Sequence, residues 1–329
     1  MESVKWGVLG VANHFVKRVL LPLKKSPIIN LYGIASRSKD RAEMAAKKFN
    51  IPRAYGSYEE LLADKEIEAV YIPLPNNLHG EWIKKSADAG KHIICEKPLA
   101  LSAEEAKESI EYAKSRGVKL MEAFMYQLHP QWQRAKELVS VGEIGEVHTI
   151  HTRFFYYLID PTNIRNRLET GGGALRDIGC YAISIARFLL DQEPKRVISL
   201  LTRDQDFKTD ILTSAILDFG MSRSLFTVST QTFPHQCVYV HGEGGTIHIK
   251  IPFNMYPDVP AEVIVTTDIG TRVIRSEPAD QYGLEFEAFS KAIRGEAPIP
   301  ISSSDTINNQ KVIDAAFKSE QTGTWVDIE

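Results

Sequence analysis

The amino-acid sequence predicts an α/β protein: a doubly wound parallel sheet, followed by an α+β domain built on a large, mostly antiparallel open sheet. Three observations carry this expectation. Up to residue 122, short apolar runs of strand length alternate with helical patterns, the order that produces a parallel sheet covered on both faces. From residue 123 onward, β-type runs follow one another across short turns, which argues for antiparallel pairing. At 329 residues the chain exceeds what one hydrophobic core usually serves, so two domains, 1–122 and 123–329, are expected.

Each element of the first half has a local reason. Val4–Gly10 reads as a buried strand ending in a turn, and Ala12-Asn13-His14-Phe15 leads into a helix. A turn of this kind uses small residues so that the backbone can approach a pyrophosphate at the helix N-terminus. Aligned on Gly10, the second small position is Ala12, and the third is the much larger Phe15. Leu31–Ala35 is the second strand, followed by Ser36-Arg37-Ser38-Lys39-Asp40-Arg41. The acidic residue that binds an unphosphorylated ribose is missing there, and two arginines four apart suit a 2′-phosphate instead. Ser57 with Glu60, and Ser102 with Glu105, are capping boxes that open helices. Ala69–Pro73 is a strand, and Pro73, Pro75 and Asn76 force an extended loop before a helix at about Leu78–Ala89, with His79 at its start. His92–Cys95 and Lys119–Glu122 complete five strands. Gly10, Ser36, Pro73 and Glu96 all fall at C-terminal strand ends, where such a sheet has its ligand crevice.

In the second half a helix spans about Gln131–Ser140, and Val147–Phe155 has β-type composition. The run Gly171 to Tyr181 opens a helix reaching Leu190, on which Asp177 and Tyr181 share a face. Strands are expected at Arg196–Leu201, Ser214–Phe219, Ser224–Thr230, Cys237–His241, Thr246–Ile251, Glu262–Thr267 and Thr271–Arg275. Helices follow at Tyr282–Arg294 and Ser304–Ser319, and a last strand at Trp325–Ile328. A sheet of that size must cover its open face, and a second copy of the chain does so, giving a homodimer or homotetramer.

Composition bounds the partners. Hydrophobic residues make up 43%, charged residues 25%, and the net charge is −3, which gives no reason to expect nucleic acid or an anionic membrane surface. Apolar runs fall far short of the roughly 20 residues of a membrane span. The chain opens directly into a strand pattern rather than a signal peptide. Cys95, Cys180 and Cys237 are scattered without metal-ligand spacing, so no metal and a cytoplasmic setting with reduced thiols are expected.

The chemistry-bearing stretches are Cys95-Glu96-Lys97-Pro98-Leu99, where a strand runs out into a loop, and the glycine-led run ending at Tyr181. A lysine, a tyrosine and a carboxylate brought together make a proton-handling site. With Gly10-Val11-Ala12, Ala35-Ser36-Arg37, Ile72 through His79, Met121 through Tyr126 and His129-Pro130-Gln131, these blocks resemble the Gfo/Idh/MocA oxidoreductases over essentially the whole chain.

The resemblance implies a Rossmann nucleotide-binding domain, then a domain whose open sheet serves oligomerisation. It implies NADP(H), preferred here over NAD(H), and carbohydrate-like substrates with a secondary alcohol or ketone: sugars, cyclitols or dihydrodiols. Carried over position by position, it makes Tyr181 the general acid/base, Lys97 the ammonium assisting it and Asp177 the group that orients substrate. Cofactor contacts are expected from Gly10, Ala12, Asn13, His14, Ser36, Arg37, Arg41, Leu74, Pro75, Asn76, His79, Glu96 and Lys97. Tyr126, Arg153, Phe155, Tyr157, Asn163, Arg165 and Arg167 form a region that could line the substrate pocket, and Tyr282 could reach back to the nicotinamide. Two other functions stay open for such a chain: a non-catalytic NADP-binding regulator, and a sugar–sugar oxidoreductase that keeps its cofactor bound.

Overall fold

Six strands, Val4–Leu9 (β1), Ile29–Ala35 (β2), Arg53–Tyr55 (β3), Ala69–Ile72 (β4), His92–Glu96 (β5) and Leu120–Ala123 (β6), pair in parallel in the order β3-β2-β1-β4-β5-β6. The structure is a computed structural model and describes residues 2–329. Strand order reverses between β1 and β4, which places a crevice at the C-terminal ends of the strands. The short β3, which pairs with Gly33–Ala35, is the one strand of this sheet that the sequence pattern does not announce. Three residues with an exposed arginine carry no readable alternation.

The helices between strands begin where the capping residues predict. Ser57 Oγ accepts from the Glu60 amide at 3.0 Å, and Glu60 in return accepts from the Gly56 amide at 2.9 Å. Ser102 and Glu105 repeat the exchange, with Glu105 accepting from the Leu101 amide. Each pair satisfies amides that the first helical turn leaves unpaired.

The chain falls into two compact units, and the first combines residues up to Met125 with Tyr282–Ile307. The helix Gln281–Ile293 explains this non-contiguous composition. Trp6 of β1 packs on Phe286 and Phe289, with ring centroids 4.8 and 6.1 Å apart, and donates to Ser290 Oγ at 3.2 Å. Arg294, just beyond the helix, holds both Glu68 carboxylate oxygens at 2.6 and 3.0 Å. An apolar helix stripe does not reveal from sequence alone which sheet it covers, so a single boundary at residue 122 leaves this segment with the second half.

The second unit contains Tyr126–Gln281 and Asn308–Glu329. Its sheet has nine strands: Val147–Tyr157 (β7), Arg196–Arg203 (β8), Asp210–Asp218 (β9), Arg223–Ser229 (β10), Gln231–Gly242 (β11), Gly245–Ile249 (β12), Glu262–Thr267 (β13), Gly270–Arg275 (β14) and Val326–Asp327 (β15). The order is β14-β13-β12-β11-β7-β10-β9-β8-β15, and among the described residues β7 with β10 is the one parallel pair of this sheet. Helices cover one face: Tyr181 of helix Cys180–Leu190 meets Phe154 of β7, and Ser199 of β8 donates to the Ala316 carbonyl in helix Ser303–Thr322. Across the other face runs a register row, Ile198, Ile216, Leu225, His151, Tyr239, His248, Ile264 and Val273. It is half-buried or exposed throughout.

Candidate active site

In the first unit the crevice starts where β1 ends. Gly10 has φ +122°, a conformation that strains any residue with a Cβ, and a Cβ there would lie 3.3 Å from Leu74 Cδ2. The backbone after it is therefore open to close approach by a ligand. Residues Phe15–Val19 form a single π turn that continues into helix Leu20–Lys25. Phe15, too large for the usual close packing of strand and helix, is fully buried with its ring 6.0 Å from that of Tyr71 on β4. The bulky side chain becomes core beneath the loop, while Ala12, Asn13 and His14 stay at least partly exposed above it.

At the end of β2, Ser36 is buried, and its hydroxyl accepts from the Ser38 amide at 3.2 Å. Arg41 donates to the Val11 carbonyl at 2.8 Å, tying the helix after β2 to the glycine loop. Exposed Arg37 stands at a cavity of about 500 Å³ lined also by Ser57, Tyr58, Leu74, Leu78 and Trp82. The Tyr58 and Trp82 rings meet edge to face at 4.8 Å. Burial raises the Tyr58 hydroxyl above the ordinary phenol value, and the charges of Arg37 and Arg41 pull it back in part. Both guanidinium groups thus act on one wall of the cavity. An aromatic wall with Arg37 at the rim, and with Glu59 and Glu81 also in the lining, fits an adenosine whose phosphate lies on the Arg37 side.

At the ends of β4 and β5 the backbone is fixed by buried side chains. His79 has no exposed surface, and its ring spans the carbonyls of Leu74 (Nε2, 2.9 Å) and Pro98 (Nδ1, 3.0 Å). Its ring therefore lies between two crevice loops, with both nitrogens turned to their carbonyls. Burial holds its ring below the ordinary histidine value. Glu122, buried on β6, accepts from the Leu99 amide at 2.8 Å. Half-buried Lys97, whose bond to Pro98 is cis, follows β5 directly and precedes these two anchors. Glu96 accepts from the Tyr71 hydroxyl at 2.5 Å and lies 3.6 Å from His14 Nε2.

In the second unit, Gly173 has φ +120°, and a Cβ there would fall 2.0 Å from Asp210 Oδ1. Only glycine lets Asp210 come this close. Asp210 Oδ2 accepts from the Leu175 amide at 2.6 Å and from Thr213 Oγ1 at 2.9 Å, while burial raises the carboxyl above its ordinary range. Residues Leu175–Gly179 make a second π turn, and helix Cys180–Leu190 follows. Tyr181 is 6% exposed, walled by the rings of Tyr126, Phe154 and Phe253 at 5.9, 6.0 and 5.1 Å.

Asp177 is engaged inside this unit. Its Oδ2 accepts from the Tyr156 hydroxyl at 2.5 Å and from Arg165 Nε at 2.9 Å. The pocket-lining region expected from sequence accordingly splits. Phe154 and Tyr156 face the helix, whereas Arg153, Phe155 and Tyr157 alternate onto the open face of the sheet, because successive strand residues point opposite ways. Tyr126 is fully buried and bonds to Ser184 at 2.7 Å, so it is wall and core together. Asn163 caps the turn Ile164–Asn166, and Arg167 pairs with Glu169.

The family model described as an oxidoreductase family with an NAD-binding Rossmann fold, Gfo/Idh/MocA, matches residues 4–124, and the model of that family's C-terminal domain matches residues 132–248. The chain belongs to the Gfo/Idh/MocA oxidoreductase family. D-xylose 1-dehydrogenase (NADP(+)) 2 of Haloferax volcanii is 38% identical, with 98% of this chain and 99% of that protein covered. The uncharacterized oxidoreductase ORF334 of Rhizobium meliloti is 42% identical over the full length of both. The crystal structure of KijD10, a 3-ketoreductase from Actinomadura kijaniata, in complex with NADP and TDP-benzene, superposes with a TM-score of 0.91. It is 29% identical, with 97% of this chain and 98% of that chain covered.

Sequence reasoning on this Gfo/Idh/MocA chain passed over Tyr71, Glu122, Tyr156, Asp210 and Glu285. One of them carried a usable signal. Glu285 sits among Tyr282, Phe286 and Phe289 on the buried stripe of its helix, and an acid in an apolar stripe marks a buried charge that something must accommodate. The other four are polar residues whose partners lie far away in the chain.

Proposed function

We propose that this Gfo/Idh/MocA oxidoreductase is an NADP(H)-dependent dehydrogenase or reductase acting on a secondary alcohol or ketone of a sugar, cyclitol or dihydrodiol. The observation that carries the reading is the end of β2, where Ser36 replaces a ribose-binding acid and Arg37 and Arg41 both act on the wall of one cavity. The names of the relatives, an NADP-dependent xylose dehydrogenase and a ketoreductase with NADP bound, agree with it. Gly10, Ala12, Asn13 and His14 would hold the pyrophosphate side, Leu74, Pro75 and Asn76 the crevice wall, and Glu96 and Lys97 the reacting end.

When bound, the nicotinamide supplies or accepts the hydride. Tyr181 delivers the proton to the oxygen of a carbonyl being reduced, for which an ordinary phenol with a pKa of about 10 is a usable acid. In oxidation the same phenol must act as base, and the Lys97 ammonium favours its charged form. The aromatic wall around Tyr181 fixes the ring and excludes water. Asp177 is a positioning residue here: it holds Arg165 and Tyr156 at the start of the helix that carries Tyr181.

The assembly we propose is a homodimer or homotetramer through the open face of the nine-stranded sheet. Leu200 and Phe233, 77% and 85% exposed, add to the apolar side chains along that sheet. A cytoplasmic setting accords with three buried cysteines, none of them in a disulfide among the described residues. Among the described residues no helix is long and apolar enough to cross a membrane.

The test is NADPH oxidation across aldoses, ketosugars and dicarbonyls, run beside Tyr181→Phe. Turnover of at least one such compound, lowered roughly 10²–10⁴-fold in the variant, is expected. Tight NADPH binding without turnover of any would replace this reading with that of a regulator.

A further inference from the structure

The cluster that the mechanism leaves unused lies beneath the loop carrying Lys97. Glu285 is 1% exposed, and its Oε1 has no hydrogen-bond partner among the described residues. It shares this interior with Tyr71 of β4, itself fully enclosed, and with Glu96 of β5, which accepts the Tyr71 hydroxyl. His14, from the loop after β1, lies 3.6 Å from Glu96 and meets the Tyr282 ring edge-on at 5.5 Å. Tyr282 belongs to the same helix as Glu285. Cys95 is buried on the opposite face of β5, and Lys97 follows Glu96 in the chain. Two imidazoles bear on Glu96 and could bring a positive charge: His14 at 3.6 Å, and the buried His79, whose ring feels the Glu96 charge.

A carboxyl enclosed in an apolar interior next to a half-buried carboxylate does not ionise readily, because burial and repulsion each favour keeping its proton. Burial first, and the Glu96 charge second, hold the Glu285 carboxyl well above the ordinary carboxylate range. The Tyr71 hydroxyl is raised by the same surroundings. The position in the fold gives this proton a use. The arginines at the end of β2 mark the adenosine side of the crevice, so β4 and β5, across β1, mark the nicotinamide side. An oxidised nicotinamide is cationic and a reduced one is neutral.

We propose that Glu285, beside the Glu96 carboxylate, holds a proton at the nicotinamide end of the crevice, and that it releases this proton to solvent when oxidised cofactor binds and retains it when reduced cofactor binds. The inference rests on the cofactor reading above. It makes the protein's preference between the two redox forms depend on pH, through a group separate from Tyr181. Proton and NADP⁺ compete, so the ratio of the NADP⁺ to the NADPH dissociation constant falls as pH rises, by at most about tenfold per pH unit for one linked proton.

The experiment is titration calorimetry of the full chain with NADP⁺ and with NADPH, in buffers of different ionisation enthalpy between pH 6 and 9. The count of protons released is taken for each redox form. The cofactor's own phosphates contribute equally to both and cancel in the difference. Wild type should release more protons with NADP⁺ than with NADPH, and Glu285→Gln, which keeps the shape of the side chain, should lose that difference. Difference infrared spectra of wild type should show a protonated carboxylic acid band that diminishes on binding NADP⁺ and is missing from Glu285→Gln. Equal counts for the two redox forms in wild type, a difference surviving in the variant, or an unchanged band each overturn the proposal alone. No heat with either nucleotide removes the cofactor reading and the proposal with it.

Discussion

The Tyr156 hydroxyl donates to Asp177 Oδ2 at 2.5 Å, from a strand position between Phe155 and Tyr157, whose side chains turn to the open face. Arg165 reaches the same oxygen at 2.9 Å. The three groups act as a unit, so removing one leaves the others partly buried and uncompensated. A hydrogen bond to a charged group is worth roughly 1.5–3 kcal/mol. Tyr156→Phe should therefore lower kcat/KM about 10–100-fold and shift the urea midpoint downward. The NADPH dissociation constant should not change, because the nucleotide crevice is built from the first unit. Steady-state kinetics and fluorescence titration on the same preparation separate these effects, and a variant with unchanged kcat/KM would remove the positioning role of Asp177.

The end of β2 yields a prediction about cofactor choice. Arg37 is exposed at the rim of the cavity and Arg41 is committed in part to the Val11 carbonyl, so Arg37 is the freer of the two to meet a 2′-phosphate. Arg37→Ala should weaken NADPH binding roughly 10–100-fold, the worth of a charge-assisted bond, and NADH binding less than about threefold. Dissociation constants for both nucleotides decide it: equal losses would mean that Arg37 contacts the part they share.

The division between what the sequence showed and what it hid follows the range of the interactions. Capping serines, strand-end glycines and the alternation of strands and helices are local, and Ser57, Ser102 and Gly10 sit in the structure as their neighbours dictate. The blocks around Lys97 and Tyr181 were readable because their residue types are specific. Partners were not. His79 looked like a crevice residue by position, yet its ring is taken by carbonyls five and nineteen residues away. Arg153, Phe155 and Tyr157 were close to the site in sequence and on the wrong face of a strand, where a shift of one residue decides everything. Helix Gln281–Ile293 showed an apolar stripe without showing that Trp6 would receive it.

The open face of the nine-stranded sheet makes the assembly testable. Tyr239 lies in the central row and Leu200 on the flank, both exposed in the isolated chain. Aspartate at both positions places two charges on a surface that a second copy would bury, at a cost of several kcal/mol per uncompensated ion. Light scattering after gel filtration should show Tyr239→Asp/Leu200→Asp at the mass of a single chain and wild type at two or four times that mass. Circular dichroism should be the same for both. An oligomer persisting in the variant would place the interface elsewhere.

The last prediction concerns acid stability and His129, which precedes helix Pro130–Ser140 and is 1% exposed. Its Nδ1 accepts from the Gln131 amide at 3.1 Å, which requires that nitrogen to be unprotonated. Burial pushes the ring down to about 4, opposed in part by its bond to the Ala279 carbonyl. In the unfolded chain the value is about 6.5, so between these limits the unfolded state binds the extra proton. Stability from this residue is therefore complete above about pH 6.5 and is lost as pH falls toward 4. Between pH 7.5 and 5 the loss amounts to about 2 kcal/mol by linkage. His129→Asn keeps an oxygen to cap the helix and removes the titration. Urea midpoints measured at both pH values should thus fall further in wild type than in His129→Asn, by an amount equivalent to about 2 kcal/mol. Parallel falls in the two proteins would show that His129 is already protonated in the folded state, and that its Nδ1 does not accept from Gln131.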